Sequence, residues 1–257
     1  MPTVWGRSSS SNVQALMWCL AEWDLPVQRH KIGGRFGGTN STQFTALNPN
    51  QTIPVLQDGT GPPIWETGAI LRYLCCKYAK PPFWPTEIEH QSQVDQWAEW
   101  AKINIALSFT GPVFWRVIRT SAAEHNQPAI RAAVTALEHK LAIAEAQFGR
   151  NNKFLAGNSF CLADVQFGHI LYRYYNIEIT RKALPNLARY YGGLTQRRAY
   201  RDHVMWAMTT CVYLETTCCP TQADRSPALN LSRHLAQKFE HNRNPQKSGA
   251  TRLIKRW

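Results

Sequence analysis

The sequence lacks any apolar run close to the roughly 20 residues that a helix needs to cross a bilayer. Its opening residues, Met-Pro-Thr-Val-Trp-Gly, also lack the layout of a secretory signal peptide. We therefore expect a cytoplasmic protein that has no membrane partner.

The seven cysteines lack the spacing of a metal site or of a C-x-x-C redox motif. Cys75-Cys76 and Cys218-Cys219 are adjacent pairs instead. An odd set of this kind favours reduced thiols over a disulfide framework. We expect no metal, and we expect Cys19, Cys75 and Cys76 to be packing residues within helices.

Acidic residues are also scarce, since 17 Asp and Glu stand against 29 Lys and Arg, and the formal net charge is +12. A basic surface attracts anions of many kinds. Residues 206–257 form a basic tail with eight basic and three acidic side chains. Disorder and binding of anionic surfaces are both compatible with its composition. It has no recognisable nucleic-acid-binding motif, so we expect no nucleic-acid partner.

Residues 47–67 join a strand that begins with proline to the start of a helix. Pro54 has no N–H, so it fits the first residue of a strand or a cis peptide bond, although trans bonds are commoner. A cis bond after Ile53 would turn the backbone groups of Ile53 outward, where an extended peptide can pair with them. Glu66-Thr67 then opens a helix, and helix N-termini favour carboxylates. The segment predicts a site for a small acidic peptide.

The alternation of strand and helix signals divides the chain. Residues 1–80 have the order βαβαββα of a thioredoxin-like α/β domain, and residues 87–205 have almost entirely helical signals, which predict an all-α domain. The predicted elements of the first domain are Thr3–Gly6, Val13–Trp23, Val27–Ile32, Ser41–Leu47, Ile53–Leu56, Ile64–Trp65 and Thr67–Tyr78. In the second domain they include Ile88–Ser108, Pro112–Ser121, Pro128–Phe148 and Leu162–Tyr174.

With these elements in this order, the chain resembles the cytosolic glutathione transferases, and most closely bacterial serine-type members similar to the theta and nu classes. The resemblance covers about residues 2–205 and rests on an ordered set of motifs. They include Trp-Gly-Arg-x-x-Ser-x-Asn-Val-Gln at 5–14, Phe-x-x-Leu-Asn-Pro-Asn at 44–50, Ile-Pro-Val-Leu at 53–56, Trp-Glu-Thr-x-Ala-Ile-Leu-Arg-Tyr-Leu at 65–74 and Leu-Ala-Asp-Val at 162–165. It implies the glutathione transferase fold, glutathione as co-substrate, a small electrophile as second substrate and a homodimer.

The resemblance also implies which residues bind glutathione. The backbone of Ile53, held by Pro54, would pair with the cysteinyl part, and Glu66 and Thr67 would hold the γ-glutamyl end. One departure bears on this site: Gln51-Thr52 stands where relatives carry Gly-Lys or Gly-Arg, and a cation suited to the glycyl carboxylate is lost.

The turn over residues 7–12 would lie beside the glutathione sulfur. Ser10 is the first candidate for the hydroxyl that donates a hydrogen bond to the thiolate, followed by Ser8 and Ser9. Arg7 and Asn12 would add charge and orientation. The alternative is that these serines only cap the following helix.

The second substrate is expected against the helical domain, where we predict that Trp100, Asn104 and Trp115 line a hydrophobic pocket. Aromatic residues at such spacing are also typical of a core. A second departure lies at Cys161, because Ser or Thr usually caps the helix that carries Asp164. We expect Asp164 to be structural.

Three functions are compatible with the sequence. The first is a glutathione transferase that acts on electrophiles. The second is a glutathione-dependent disulfide or peroxide reductase, and the third is a binding protein with this fold that has lost catalysis.

Overall fold

The computed structural model describes residues 1–206, and the predicted weak helix at 228–239 lies outside this range. Four strands form a mixed sheet in the order β2-β1-β3-β4, with β1 parallel to β2 and the other pairs antiparallel. The strands are β1 Pro2–Trp5, β2 Gln28–His30, β3 Val55–Asp58 and β4 Pro63–Trp65. The predicted thioredoxin-like order and the β3–β4 hairpin are confirmed.

Three helices accompany this sheet: α1 Ser11–Ala21, α2 Thr42–Leu47 and α3 Thr67–Tyr78. The helical half contributes α4 Ile88–Trp100, α5 Leu107–Phe109, α6 Arg116–Ile118, α7 Gln127–Gly149, α8 Leu162–Asn176, α9 Pro185–Thr195 and α10 Arg198–His203. None of the helices in this range is long and apolar enough to cross a membrane.

The predicted break between helices near Pro112 is wrong. The backbone stays helical from Ile88 to Ile118, because π-helical turns at Ala101–Ala106 and Thr110–Trp115 join α4, α5 and α6. Proline disturbs an α-helix by removing one hydrogen bond and crowding the preceding turn. A wider π turn accommodates this, and such turns are frequent at functional sites.

Helix α8 lies at the centre of the core. It packs against α1 and α4, and α1 also packs against α10. Gly168 lets α8 lie close to α1 and α9, since a Cβ atom there would lie 2.9 Å from Trp18 Cη2 and 2.6 Å from Leu194 Cδ1. The indole of Trp18 also meets the ring of Tyr200 edge to face at 4.7 Å between centroids.

Asp164 ties the start of α8 to its surroundings. Its carboxylate accepts hydrogen bonds from the backbone N–H groups of Leu155 and Cys161, both at 2.9 Å, and from the Tyr190 hydroxyl at 2.8 Å. The thiol of Cys161 adds a weak contact at 3.4 Å. The carboxylate therefore fixes a loop, a helix start and a neighbouring helix.

The cysteines of residues 1–206 are free thiols. Cys19 and Cys75 are buried, as predicted. The packing role predicted for Cys76 is wrong, because Cys76 lies on the exposed side of α3. The same residues contain no cluster of His, Cys, Asp or Glu side chains that could hold a metal ion.

Candidate active site

Residues 7–12, the serine turn, lead from β1 into α1. Ser10 has extended backbone angles of φ −82° and ψ 127° and precedes the first helical residue. Its carbonyl accepts the N–H of Gln14 at 2.9 Å. Its hydroxyl makes no capping hydrogen bond. Ser10 therefore does not serve only as a helix cap. Its hydroxyl is available to a ligand beside the positive end of α1.

Two arginines hold the serine turn in place. Arg7 Nη1 donates to the Ser9 hydroxyl at 2.8 Å, and Arg173 Nη2 from α8 donates to the Ser9 carbonyl at 2.7 Å. Arg173 Nη2 also reaches Gln14 Oε1 at 3.3 Å. The Ser9 hydroxyl accepts from Arg7 but keeps its own proton for donation.

Residues 48–54, the Ile53 loop, form the opposite wall. The Ile53-Pro54 peptide bond is cis, which is one of the two alternatives that the sequence left open for Pro54. Asn48 holds the loop by donating from Nδ2 to the Thr52 carbonyl at 2.8 Å. Ile53 lies in the loop before β3. Within residues 1–206, neither its N–H nor its C=O takes part in a backbone hydrogen bond of the loops and turns. The loop therefore offers an extended edge with an open donor and acceptor.

The start of α3 has an uncommon backbone. Glu66 has φ 67° and ψ 119°, a region that residues other than glycine rarely occupy, and its side chain is exposed and makes no capping bond. Such backbone conformations concentrate at functional sites. Thr67 follows as the first residue of α3 and is buried.

Lys102 is a cation that sequence reasoning missed. It lies in the π-helical turn after α4, and its Nζ donates to Asn12 Oδ1 at 3.4 Å. Burial lowers the pKa of Lys102, while the carboxylates of Glu66 and Glu99 act in the opposite direction. Its only sequence signal is that it is the one charged residue between Trp100 and Leu107.

An open cleft of about 380 Å³ lies between the serine turn, the Ile53 loop and residues 110–119. From the predicted site, the lining includes Arg7, Ser9, Ser10, Asn12, Ile53 and Trp115. The lining does not include Ser8, Pro54, Glu66, Thr67, Trp100 or Asn104.

Trp100 instead packs in the helical half, where its ring lies 5.2 Å from that of Trp97 and 5.8 Å from that of Phe167. Arg119 lines the cleft next to Trp115 and was not predicted. Its guanidinium stands 4.7 Å from the centre of the Trp115 ring.

Comparisons with known proteins agree with this geometry. Residues 2–75 match the family model for the glutathione S-transferase N-terminal domain, and residues 77–197 match the model for the C-terminal domain. The chain therefore belongs to the glutathione S-transferase family, and the predicted resemblance is confirmed.

Individual relatives support the same family. Glutathione S-transferase GstB of Escherichia coli (strain K12) is 32% identical over 206 residues, which are 80% of this chain and 98% of the relative. Glutathione S-transferase theta-1 of Rattus norvegicus is 31% identical over 145 residues, 55% of this chain and 60% of the relative.

A solved structure resembles the whole described fold. The theta class glutathione S-transferase of the citrus canker pathogen Xanthomonas axonopodis pv. citri, crystallised with glutathione bound, has a TM-score of 0.76 and 37% sequence identity. The match covers 80% of this chain and 98% of that one.

Proposed function

We propose that this enzyme is a glutathione transferase in which the Ser10 hydroxyl stabilises the thiolate of glutathione. The observation that carries the proposal is the position of Ser10. Its hydroxyl is not used by α1, and it lines the same cleft as the open backbone edge of Ile53. The similar Xanthomonas enzyme was crystallised with glutathione, which supports glutathione as the co-substrate here.

The protein has to make the glutathione thiol more acidic. A free thiol has a pKa of ~8.5, so only a few per cent is ionised at pH 7. A hydroxyl that donates to sulfur, the N-terminus of α1 and the nearby Arg7 all favour the charged form. The serine acts as a hydrogen-bond donor and takes up no proton. The thiolate sulfur then forms a bond to an electrophilic carbon, and the leaving group departs with its electron pair.

The rest of the peptide would extend along the two remaining elements. In this proposal the backbone of Ile53 pairs with the cysteinyl residue of glutathione. Glu66 and Thr67 hold the γ-glutamyl end at the start of α3, and Asn12, which is fixed by Lys102, orients the same end.

Ser9 is the second candidate for the donor. It lines the cleft, and the bond from Arg7 polarises its hydroxyl. Ser8 ranks third because it does not line the cleft.

We also propose that two copies associate through the face that carries α3 and α4, and that the dimer acts in the cytoplasm. Trp65, Ile103 and Leu107 are exposed large apolar side chains in this region. Trp65 ends β4 next to the start of α3, and Ile103 and Leu107 follow α4 in the chain. The charges of Glu66 and Lys102, their sequence neighbours, interact, which supports placing the two segments near each other. Exposed apolar surface of this kind is typical of protein interfaces.

One experiment separates the transferase from its alternatives. The full chain is bound to glutathione resin, and the eluted protein is tested for conjugation of 1-chloro-2,4-dinitrobenzene and for reduction of a small disulfide. A transferase is retained and conjugates. Retention without turnover of either substrate would identify a binding protein, and disulfide reduction alone would identify a reductase.

A further inference from the structure

The charged side chains that line the cleft in the described part of the chain are all positive. Among the lining residues that belong to residues 1–206, every charged side chain is an arginine: Arg7, Arg119 and Arg173. Arginine matches the two oxygens of a carboxylate with parallel N–H groups. A cleft of this composition favours anionic ligands.

The three arginines differ in what they contact. Arg7 and Arg173 both donate hydrogen bonds to Ser9. They therefore support the serine turn, on the side of the cleft where we place glutathione. Arg119 comes from the helical half, directly after α6, and is exposed. It is therefore the arginine nearest to where a second substrate would enter.

Arg119 forms a unit with an aromatic surface. Its guanidinium lies 4.7 Å from the centre of the Trp115 ring, and the Trp115 side chain is 44% exposed while lining the cleft. Phe114 also lines the cleft, and the Arg173 guanidinium lies 4.8 Å from the centre of its ring. A flat indole beside a cation fits a ligand that has an aromatic ring and an anionic substituent.

The positive charge of Arg119 can offset the repulsion between an anionic electrophile and the glutathione thiolate. An anionic electrophile is repelled by the thiolate that must attack it, and in a partly desolvated cleft the repulsion is stronger than in water. A guanidinium that binds the substituent offsets this repulsion and orients the ring. A neutral electrophile gains nothing from the same charge.

We propose that the second substrate is an aromatic electrophile that bears a carboxylate, with Arg119 binding the carboxylate and Trp115 packing against the ring. The inference rests on the proposed transferase function. In the reaction the thiolate sulfur forms a bond to the ring carbon that carries the leaving group, and a halide leaves with the electron pair of the broken bond. The thiol proton has already passed to solvent.

The test uses a matched pair of probes, 4-chloro-3-nitrobenzoate and 4-chloro-3-nitrobenzamide. They differ in the charge of one substituent, and each enzymatic kcat/KM is divided by the uncatalysed rate with glutathione. We expect the wild type to favour the benzoate. Arg119→Met should lower kcat/KM for the benzoate about tenfold or more, with the benzamide within about twofold, since a charge-assisted hydrogen bond to a carboxylate is lost.

The controls separate charge at this position from a general effect. Arg116→Met removes an exposed arginine of α6 that does not line the cleft and should change neither rate. The KM for glutathione should stay unchanged in Arg119→Met, and Arg119→Lys should restore part of the benzoate rate. The benzamide rate also reports whether each variant is folded.

Two results would overturn the inference while leaving the transferase function intact. One is turnover of 1-chloro-2,4-dinitrobenzene by an enzyme that does not favour the benzoate. The other is an equal loss of both probe rates in Arg119→Met. Failure to conjugate any of the three compounds would overturn the proposed function together with the inference.

Discussion

The Ser10 hydroxyl lies at the positive end of α1 and takes no part in capping it, so removing it costs the helix little. In Ser10→Ala we expect kcat/KM for 1-chloro-2,4-dinitrobenzene to fall at least about tenfold, because about 1.4 kcal/mol of thiolate stabilisation is lost. The midpoint of the pH–rate profile should move up towards that of free glutathione.

Ser8→Ala is the matched control, since Ser8 belongs to the same turn and does not line the cleft. It should retain the wild-type rate and pH profile. If Ser10→Ala kept full activity while Ser9→Ala lost it, the donor would be Ser9.

The sequence pointed to the serine turn, Ile53-Pro54 and Glu66-Thr67 because each has a local signature, such as a proline that starts a strand. Lys102 and Arg119 have no such signature, and the sequence suggested Arg173 only as a candidate for the wall of the second-substrate pocket. Their roles depend on contacts between residues far apart in the chain, as between Arg173 and Ser9. A single sequence contains no record of those contacts.

At the scale of an element, the passage of α8 between α1 and α9 depends on one missing Cβ. Gly168→Ala would bring a carbon within 3.0 Å of Leu194 and Trp18, both buried, so a side chain or a helix must shift. We expect a loss of about 1–3 kcal/mol in the free energy of unfolding. Urea denaturation followed by tryptophan fluorescence measures it.

Gly192→Ala provides the comparison within α9, where an added Cβ meets nothing within 4 Å. Alanine is the better helix former by about 1 kcal/mol, so this variant should be as stable as the wild type or more stable. A destabilised Gly192→Ala together with an unchanged Gly168→Ala would show that helix packing at Gly168 does not limit stability.

Element boundaries show what local patterns can and cannot predict. The strands and most helices followed from the period of apolar residues. The continuous helical segment Ile88–Ile118 did not, because Pro112 is a helix-breaking signal in any local reading. Packing of Phe109 and Val113 in the core overrides that signal.

At the scale of the whole molecule, one buried histidine makes stability depend on pH. Burial above all, with the charges of Lys102 and Arg173, lowers the pKa of His169 to about 3, against hydrogen bonds to the Val165 and Gln166 backbone. In the unfolded chain, the same imidazole has the ordinary histidine pKa of about 6.5. Stability from the neutral ring is therefore complete above pH 6.5 and is lost as the pH falls towards 3.

We expect the free energy of unfolding to fall by up to about 1.4 kcal/mol per pH unit over this interval from His169 alone. His169→Leu should have a flatter dependence between pH 6.5 and 4, whatever its stability at pH 7. His90→Leu, at an exposed position of α4, should keep the wild-type slope. Equal slopes in wild type and His169→Leu would contradict the assignment.

The proposed dimer is also a property of the whole molecule. Ile103 is 55% exposed in the π-helical turn that follows α4, and a glutamate buried there in the interface would be unpaired. Ile103→Glu should weaken association by about 2 kcal/mol or more, which is roughly 30-fold in dissociation constant. Sedimentation velocity over a concentration series measures it.

Ile143→Glu is the control, because Ile143 is 49% exposed on α7, a helix that is not part of the proposed interface. Its association should equal that of the wild type. A wild-type chain that sediments as a monomer, or an Ile103→Glu variant that stays as dimeric as the control, would contradict the proposed interface.

The bond from Arg173 to the Ser9 carbonyl joins residues that are 164 positions apart. The turn that presents the proposed donor is thus completed by a side chain from the other half of the chain. Recombination that exchanged one half for that of a distant relative would inherit the serine but not its support. We therefore expect the two halves to be constrained to evolve as a pair, and the thioredoxin-like half alone to lack part of the support for its serine turn.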